Sequence, residues 1–273
     1  MKPKSLTEEE WKRIGKHYRF LNLNRWNMLD GLKKVNVLNE VGIDIVRGPI
    51  FGNNYGGKYP DNIYKFGKCR KRKLNMDAIH DIVLNEEKEV GGIITRDEAK
   101  ILFTGTNNRI DLDLEKSTAN MQNIILFHTH PKDETVEHDP PSILDIISFL
   151  SFNIKSMANL VLNREKADIG KIMKIQCSLV FTQDEIYSYY FSHELVINIV
   201  DYLLKVYREN EGMFIDRVEK ILEEIEINYS FYLRDFNKVM TNFDVIQYFK
   251  KLEFLGFIIH RSSYNNLTFY EYF

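Results

Sequence analysis

The sequence predicts an α+β fold: a mixed sheet flanked by helices, preceded by an N-terminal extension and followed by a mainly helical region. Three observations lead there. Between residues 74 and 193 short apolar runs alternate irregularly with helical stripes, and several of those runs are close enough along the chain to pair antiparallel. Beyond residue 194 the apolar spacing turns helical. The composition, 273 residues with 44% hydrophobic and 28% charged, suits one sizeable core with smaller appendages.

The segment 1–73 is expected to wrap or precede the main domain. Thr7-x-x-Glu10 has the form of a capping box, opening a helix through Tyr18. The stretch GPIFGNNYGGKYPDN is dense in turn formers, and the segment closes on the basic run from Lys68 to Lys73. In the segment 74–193, Leu74, Met76, Ile79, Ile82 and Val83 recur at helical spacing, predicting a helix to about residue 85. Residues 90–95 and 99–104 read as strands around a polar turn, and residues 107–118 as a polar loop. Ile124 to Phe127 reads as a buried strand, Ser142 to Phe152 as a helix, residues 158–163 as a strand, and residues 174–191 as a strand pair turning near Thr182-Gln183-Asp184.

In the segment 194–273, Ile215, Val218, Ile221, Leu222 and Ile225 form the apolar stripe of a packing helix. The end reads as a helix, a turn at Gly256 and a hairpin around residues 262–266, compatible with a small winged-helix-like module.

A formal net charge of -2 gives no overall bias toward nucleic acid or anionic membranes. The basic run invites a nucleic-acid reading, but such a short run is more commonly a solvated face, and nucleic acid is not an expected partner. Two distant cysteines do not make a disulfide framework and fit a reducing compartment. MKPKSLTEEEW lacks the apolar core of a secretory signal, and no stretch reaches roughly 18 uncharged apolar residues. The expected setting is intracellular, cytoplasmic or nuclear, without a membrane.

The chemistry concentrates in Ile125-Leu-Phe-His-Thr-His-Pro131. Side chains alternate along a strand, so His128 and His130 project from one face while Thr129 points away, offering two imidazoles to one ion. A third ligand follows in Pro140-Pro-Ser-Ile-Leu-Asp145. The prolines and Ser142 suit the start of a helix, and Asp145 lies in its first turn, near the positive helix end. Two imidazoles and one carboxylate suit zinc, with a fourth position for water. Glu89 opens the strand Glu-Val-Gly-Gly-Ile-Ile and is placed to act as a general base if that strand adjoins the histidine strand. Glu86 and Glu87 compete for the role; Glu89 lies closest to the strand.

Taken together, Glu89 with Gly91-Gly92, His128-Thr-His130-Pro131 and Ser142-x-x-Asp145 resemble the JAMM motif of the JAB/MPN metalloproteases, written E, then H-x-H-P, then S-x-x-D. The resemblance covers about residues 74–193. Thr129 replaces the commoner serine, and the interval from His130 to Ser142 exceeds the family's usual one by a few residues, implying an enlarged loop beside the metal. The resemblance implies a JAB/MPN-like, cytidine-deaminase-like layered fold and a zinc isopeptidase or peptidase acting at the C-terminus of ubiquitin or a ubiquitin-like protein. By position, His128, His130 and Asp145 would hold Zn2+, Glu89 would activate water, and Ser142 would support the oxyanion.

The alternative is a non-catalytic MPN scaffold that binds protein partners; such domains usually lose motif ligands, and here all five positions are present. Each residue also has a plainer explanation. Ser142-x-x-Asp145 is an ordinary helix-capping pattern, and a lone histidine after a strand is usually structural. His138, Asp133, Glu134 and Glu137 crowd the intervening loop as alternative ligands or as groups that solvate it and adjust access, while His17, His80, His193 and His260 lack partners at metal spacing.

Overall fold

The computed structural model describes residues 1–45, 69–72, 88–94, 99–104, 124–131, 138–163, 175–236, 241–264 and 269–272. The helix expected over 74–85, the turn-rich stretch GPIFGNNYGGKYPDN and the loop at 107–118 lie outside them.

The extension forms three helices, α1 (Glu8–His17), α2 (Leu23–Asn27) and α3 (Gly31–Glu40). Thr7 and Glu10 make the reciprocal capping box that the sequence predicts. Leu6, Ile14, Trp26, Val35 and Leu38 form a small core of their own, joined by Ile227 of a later helix. There α3 comes close: a Cβ on Gly31 would fall 2.1 Å from Ser230 Oγ, which is why glycine stands at the contact.

The strands are β1 (Cys69–Arg72), β2 (Val90–Ile94), β3 (Ala99–Thr104), β4 (Ile124–Thr129), β5 (Ile175–Phe181), β6 (Ile186–Phe191), β7 (Phe257–Ser262) and β8 (Phe269–Tyr272). Six of them form one sheet in the order β3-β2-β4-β5-β6-β7. Only β4 and β5 run parallel; every other neighbour in this sheet is antiparallel. A parallel pair needs a crossover, and α4 (Ile143–Leu162) supplies it.

The helix α4 corrects the sequence reading, which ended it near Phe152 and made residues 158–163 a strand. Ile154, Met157 and Ala158 are buried in continuation of Ile146, Ile147 and Leu150, so the helical period runs on through Leu-Val-Leu. Burial along that stripe outweighs the local β preference of a short valine-containing run. By length and mean hydropathy (1.2), α4 also passes as a membrane span. It carries Asp145 and Lys155, and its buried face packs in the same core as β5, β6 and the later helices, the position of a central helix in a layered domain.

Three further helices follow: α5 (His193–Glu209), α6 (Phe214–Leu233) and α7 (Asn242–Phe254). In α6 the buried stripe is Phe214, Val218, Ile221 and Ile225; Ile215, expected in it, is 45% exposed. The expected hairpin around residues 262–266 falls partly outside the described residues; among those described, the strand after Gly256, a turn residue with φ +86°, does not pair with the strand that follows it. Instead β7 pairs with β6, and β8 pairs with β1 in a separate two-stranded sheet. The segment beyond residue 194 therefore completes the sheet begun by the middle one.

One sheet face lies under α4, α5, α6 and α7 in a large core. The opposite face carries Ile94, Phe127, Leu179, Phe181 and Ile186. Alternation along β4 sends Phe127 to that second face and Leu126 to the helical one, so His128 shares the side on which α4 lies.

Candidate metal centre

The crossover places the start of α4 beside the end of β4, and the carboxyl end of a parallel strand is where α/β sheets commonly hold ligands. His128 is the penultimate residue of β4; His130 lies just beyond it, its N–H donating to Phe181 O of β5 at 2.8 Å. Both rings turn Nε2 inward, 3.1 Å apart. Asp145 brings Oδ2 to 3.5 Å from Nε2 of His128 and 3.9 Å from Nε2 of His130. One ligand atom from each of the three lies within 4.8 Å of the others, and the group could hold a metal ion.

Those separations suit a small cation. A tetrahedral ion with bonds of about 2.0–2.2 Å would set its ligand atoms roughly 3.3–3.6 Å apart. The observed 3.1, 3.5 and 3.9 Å bracket that range, so small side-chain rotations would bring all three into contact.

Local sequence accounts for the orientation of Asp145. Ser142 is the N-cap of α4, with Asp145 at the third helical position: Ser142 Oγ accepts Asp145 N–H at 3.1 Å, and Asp145 Oδ2 accepts Ser142 N–H at 2.7 Å. The same carboxylate is therefore both the partner of the helix cap and a member of the group that could hold a metal ion. Behind it, Tyr248 Oη of α7 donates to Pro141 O at 3.0 Å, tying the start of α4 to the C-terminal helix.

Glu89 precedes β2, which lies antiparallel beside β4 with Gly91 opposite His128. Facing residues share a side, and alternation puts Glu89 on the side of Gly91, hence on the side of the two histidines. Thr129 Oγ1 accepts Val90 N–H at 2.9 Å and closes the mouths of the two strands together. Burial raises the Glu89 carboxyl above its ordinary value; His130 and His128 pull it down, and Asp145 and Asp139 push it up.

For His130, burial alone would disfavour the charged ring, but Asp139, Asp145 and Glu89 outweigh it and raise its pKa to about 9. Burial likewise works against the Asp145 carboxylate, and His128, His130 and Ser142 overcome it, holding Asp145 far below the usual range. Without an ion the carboxylates and the imidazoles thus stabilise one another's charged forms, and a bound cation would take the place of the proton on His130.

All five residues of the motif lie at this strand mouth. His138, one of the alternative ligands weighed from the sequence, is not in the group. Arg261 Nη2 lies 3.3 Å from its Nδ1; because a guanidinium can only donate, Nδ1 accepts, and Glu185 Oε2 at 3.7 Å is a neighbour of that contact. Asp133, Glu134 and Glu137 lie outside the described residues.

The residue that sequence reasoning passed over is Asp139, whose Oδ2 stands 2.9 Å from His130 Nδ1. The distance is that of a hydrogen bond, although the ring N–H is not aligned with the oxygen. The one available signal was weak: an acid immediately before Pro140-Pro141, hence in a backbone of restricted freedom.

Comparison of the chain with family models, with curated proteins and with solved structures finds no match in any of the three.

Proposed function

We propose that the protein is a zinc-dependent hydrolase that cleaves an isopeptide or peptide bond at the C-terminus of ubiquitin or a ubiquitin-like protein. The observation that carries this reading is the meeting of His128, His130 and Asp145 within 4.8 Å of one another, with Glu89 on the same side of the sheet. The choice of zinc rests on the donor set, two imidazole nitrogens and one carboxylate oxygen. The choice of substrate rests on the resemblance of the ordered residues to the JAMM motif.

Bound zinc would supply Lewis acidity, polarising an amide carbonyl and bringing the pKa of water toward about 7. Glu89, raised by burial, is suited to take the proton of the attacking water and return it to the leaving amine. Ser142 uses its oxygen to cap α4, which leaves the hydroxyl hydrogen to donate to the oxygen that gains charge on the scissile carbonyl. Asp145, held by the Ser142 N–H, keeps its inward oxygen directed at the histidine pair.

The test is metal analysis of the purified full chain, followed by incubation with a panel of ubiquitin dimers and ubiquitin-like fusions with and without a chelator. One equivalent of zinc, lost in His128→Ala, together with chelator-sensitive cleavage is the expected result. A well-folded protein that takes up no zinc would instead favour a binding scaffold and overturn the proposal.

A further inference from the structure

His130 has two edges, and they face different groups. Nε2 faces His128 and Asp145. Nδ1 is shut off from solvent without an aligned hydrogen bond, and Asp139 Oδ2 stands 2.9 Å away. A ring that gives its Nε2 lone pair to a cation carries its hydrogen on Nδ1, and a buried N–H needs an acceptor. Asp139 approaches the edge opposite the ligand edge, so this oxygen does not compete for the same ion.

We propose that Asp139 is a positioning residue of the metal centre, a carboxylate that holds His130 in the Nδ1-protonated form with Nε2 directed at the cation. The inference rests on the proposed function only where that reading requires a divalent cation on His130. Carboxylates against the outer nitrogen of a ligating imidazole fix the ring and strengthen it as a donor.

Asp139 is itself held from both sides. Before it, His138 accepts from Arg261 of β7; after it, the Pro141 carbonyl accepts from Tyr248 of α7. Arg261 is fastened in turn to Glu185 and, at 2.8 Å, to Asn242 Oδ1. The C-terminal segment thus buttresses the residue behind the ligand, and the carboxylate stays in place although its side chain is 44% exposed.

The experiment measures zinc affinity of the full chain by competition with a chromophoric chelator, and the visible spectrum of the Co2+-loaded protein, for the wild type, Asp139→Asn, Asp139→Ala and Asp139→Glu. Expected are a loss of zinc affinity of about 10–100-fold in Asp139→Asn and Asp139→Ala, a shifted Co2+ spectrum, and partial recovery in Asp139→Glu. The thermal midpoint of the metal-free protein should fall far less than in proportion to the loss of zinc affinity in Asp139→Asn, which keeps the fold as a control.

Wild-type protein that binds one equivalent of metal, with Asp139→Asn matching it in affinity and spectrum, overturns this inference and leaves the hydrolase reading standing. A metal-free midpoint that falls in parallel with affinity in Asp139→Asn also overturns it, since the role would then be structural. Wild-type protein that binds neither ion overturns both.

Discussion

The backbone N–H of Ser142 lies 2.7 Å from Oδ2 of Asp145, and that same oxygen faces the Nε2 atoms of both histidines. The helix cap and the candidate ligand are therefore one side chain, and the bond that aims Asp145 comes from the main chain.

Ser142→Ala should consequently leave the zinc stoichiometry intact while turnover falls. The N–H that orients Asp145 survives the substitution, whereas the hydroxyl that would support the oxyanion is lost, a change typically worth ~2.7 to 4 kcal/mol of transition-state stabilisation. Loss of the cap itself should cost about 1 kcal/mol of stability. Metal content and cleavage rate, measured on the same preparation, decide the matter: equal losses would contradict the assigned role.

Glu89→Gln should keep the metal and lose the reaction. The amide preserves the size of the side chain at the mouth of β2 but cannot accept a proton, and general base catalysis commonly contributes about 10²–10⁴-fold. Single-turnover cleavage by zinc-loaded protein is the measurement. A variant retaining near wild-type rate would pass the role to another group.

Tyr248→Phe should destabilise the fold by about 1–3 kcal/mol, because the Pro141 carbonyl would lose the donor it meets in a buried contact. Urea unfolding reads the difference. A change within about 0.5 kcal/mol would place this contact among the inconsequential ones.

Glu185 gives a pH dependence with a definite sign. Burial would raise its carboxyl above the ordinary 4.5, but hydrogen bonds from Arg261 and Tyr187 prevail and hold it lower. A depressed folded value means that the contribution to stability is complete above 4.5 and is lost as pH falls through the folded value. Subtracting the stability–pH curve of Glu185→Gln from that of the wild type should give a difference that shrinks on acidification below 4.5. A difference that stays level through that range would remove Glu185 as the source.

Much of the candidate site was legible because its rules are local. Alternation along a strand puts His128 and His130 on one side, and the capping pattern sets Asp145 in the first turn of a helix. The pairings that complete the fold join residues far apart in sequence. Nothing in Phe257–Ser262 distinguishes a partner in β6 from the adjacent strand expected after a short turn, because both leave the same alternating face. The tail of α4 was misread because Leu160-Val161-Leu162 satisfies a strand pattern in a short window; the period that assigns it to a helix emerges only with Ile154, Met157 and Ala158 included. Asp139 was hidden among acids of one loop, and what marks it out is the proximity of His130 in space.

The pairing of β7 with β6 has a consequence for synthesis. A nascent chain halted after Ser192 would display β6 as a bare edge with six residues awaiting partners that the ribosome has yet to deliver. Closure of that edge must wait until Ser262 has emerged, so a truncated product invites self-association through its unmatched amides.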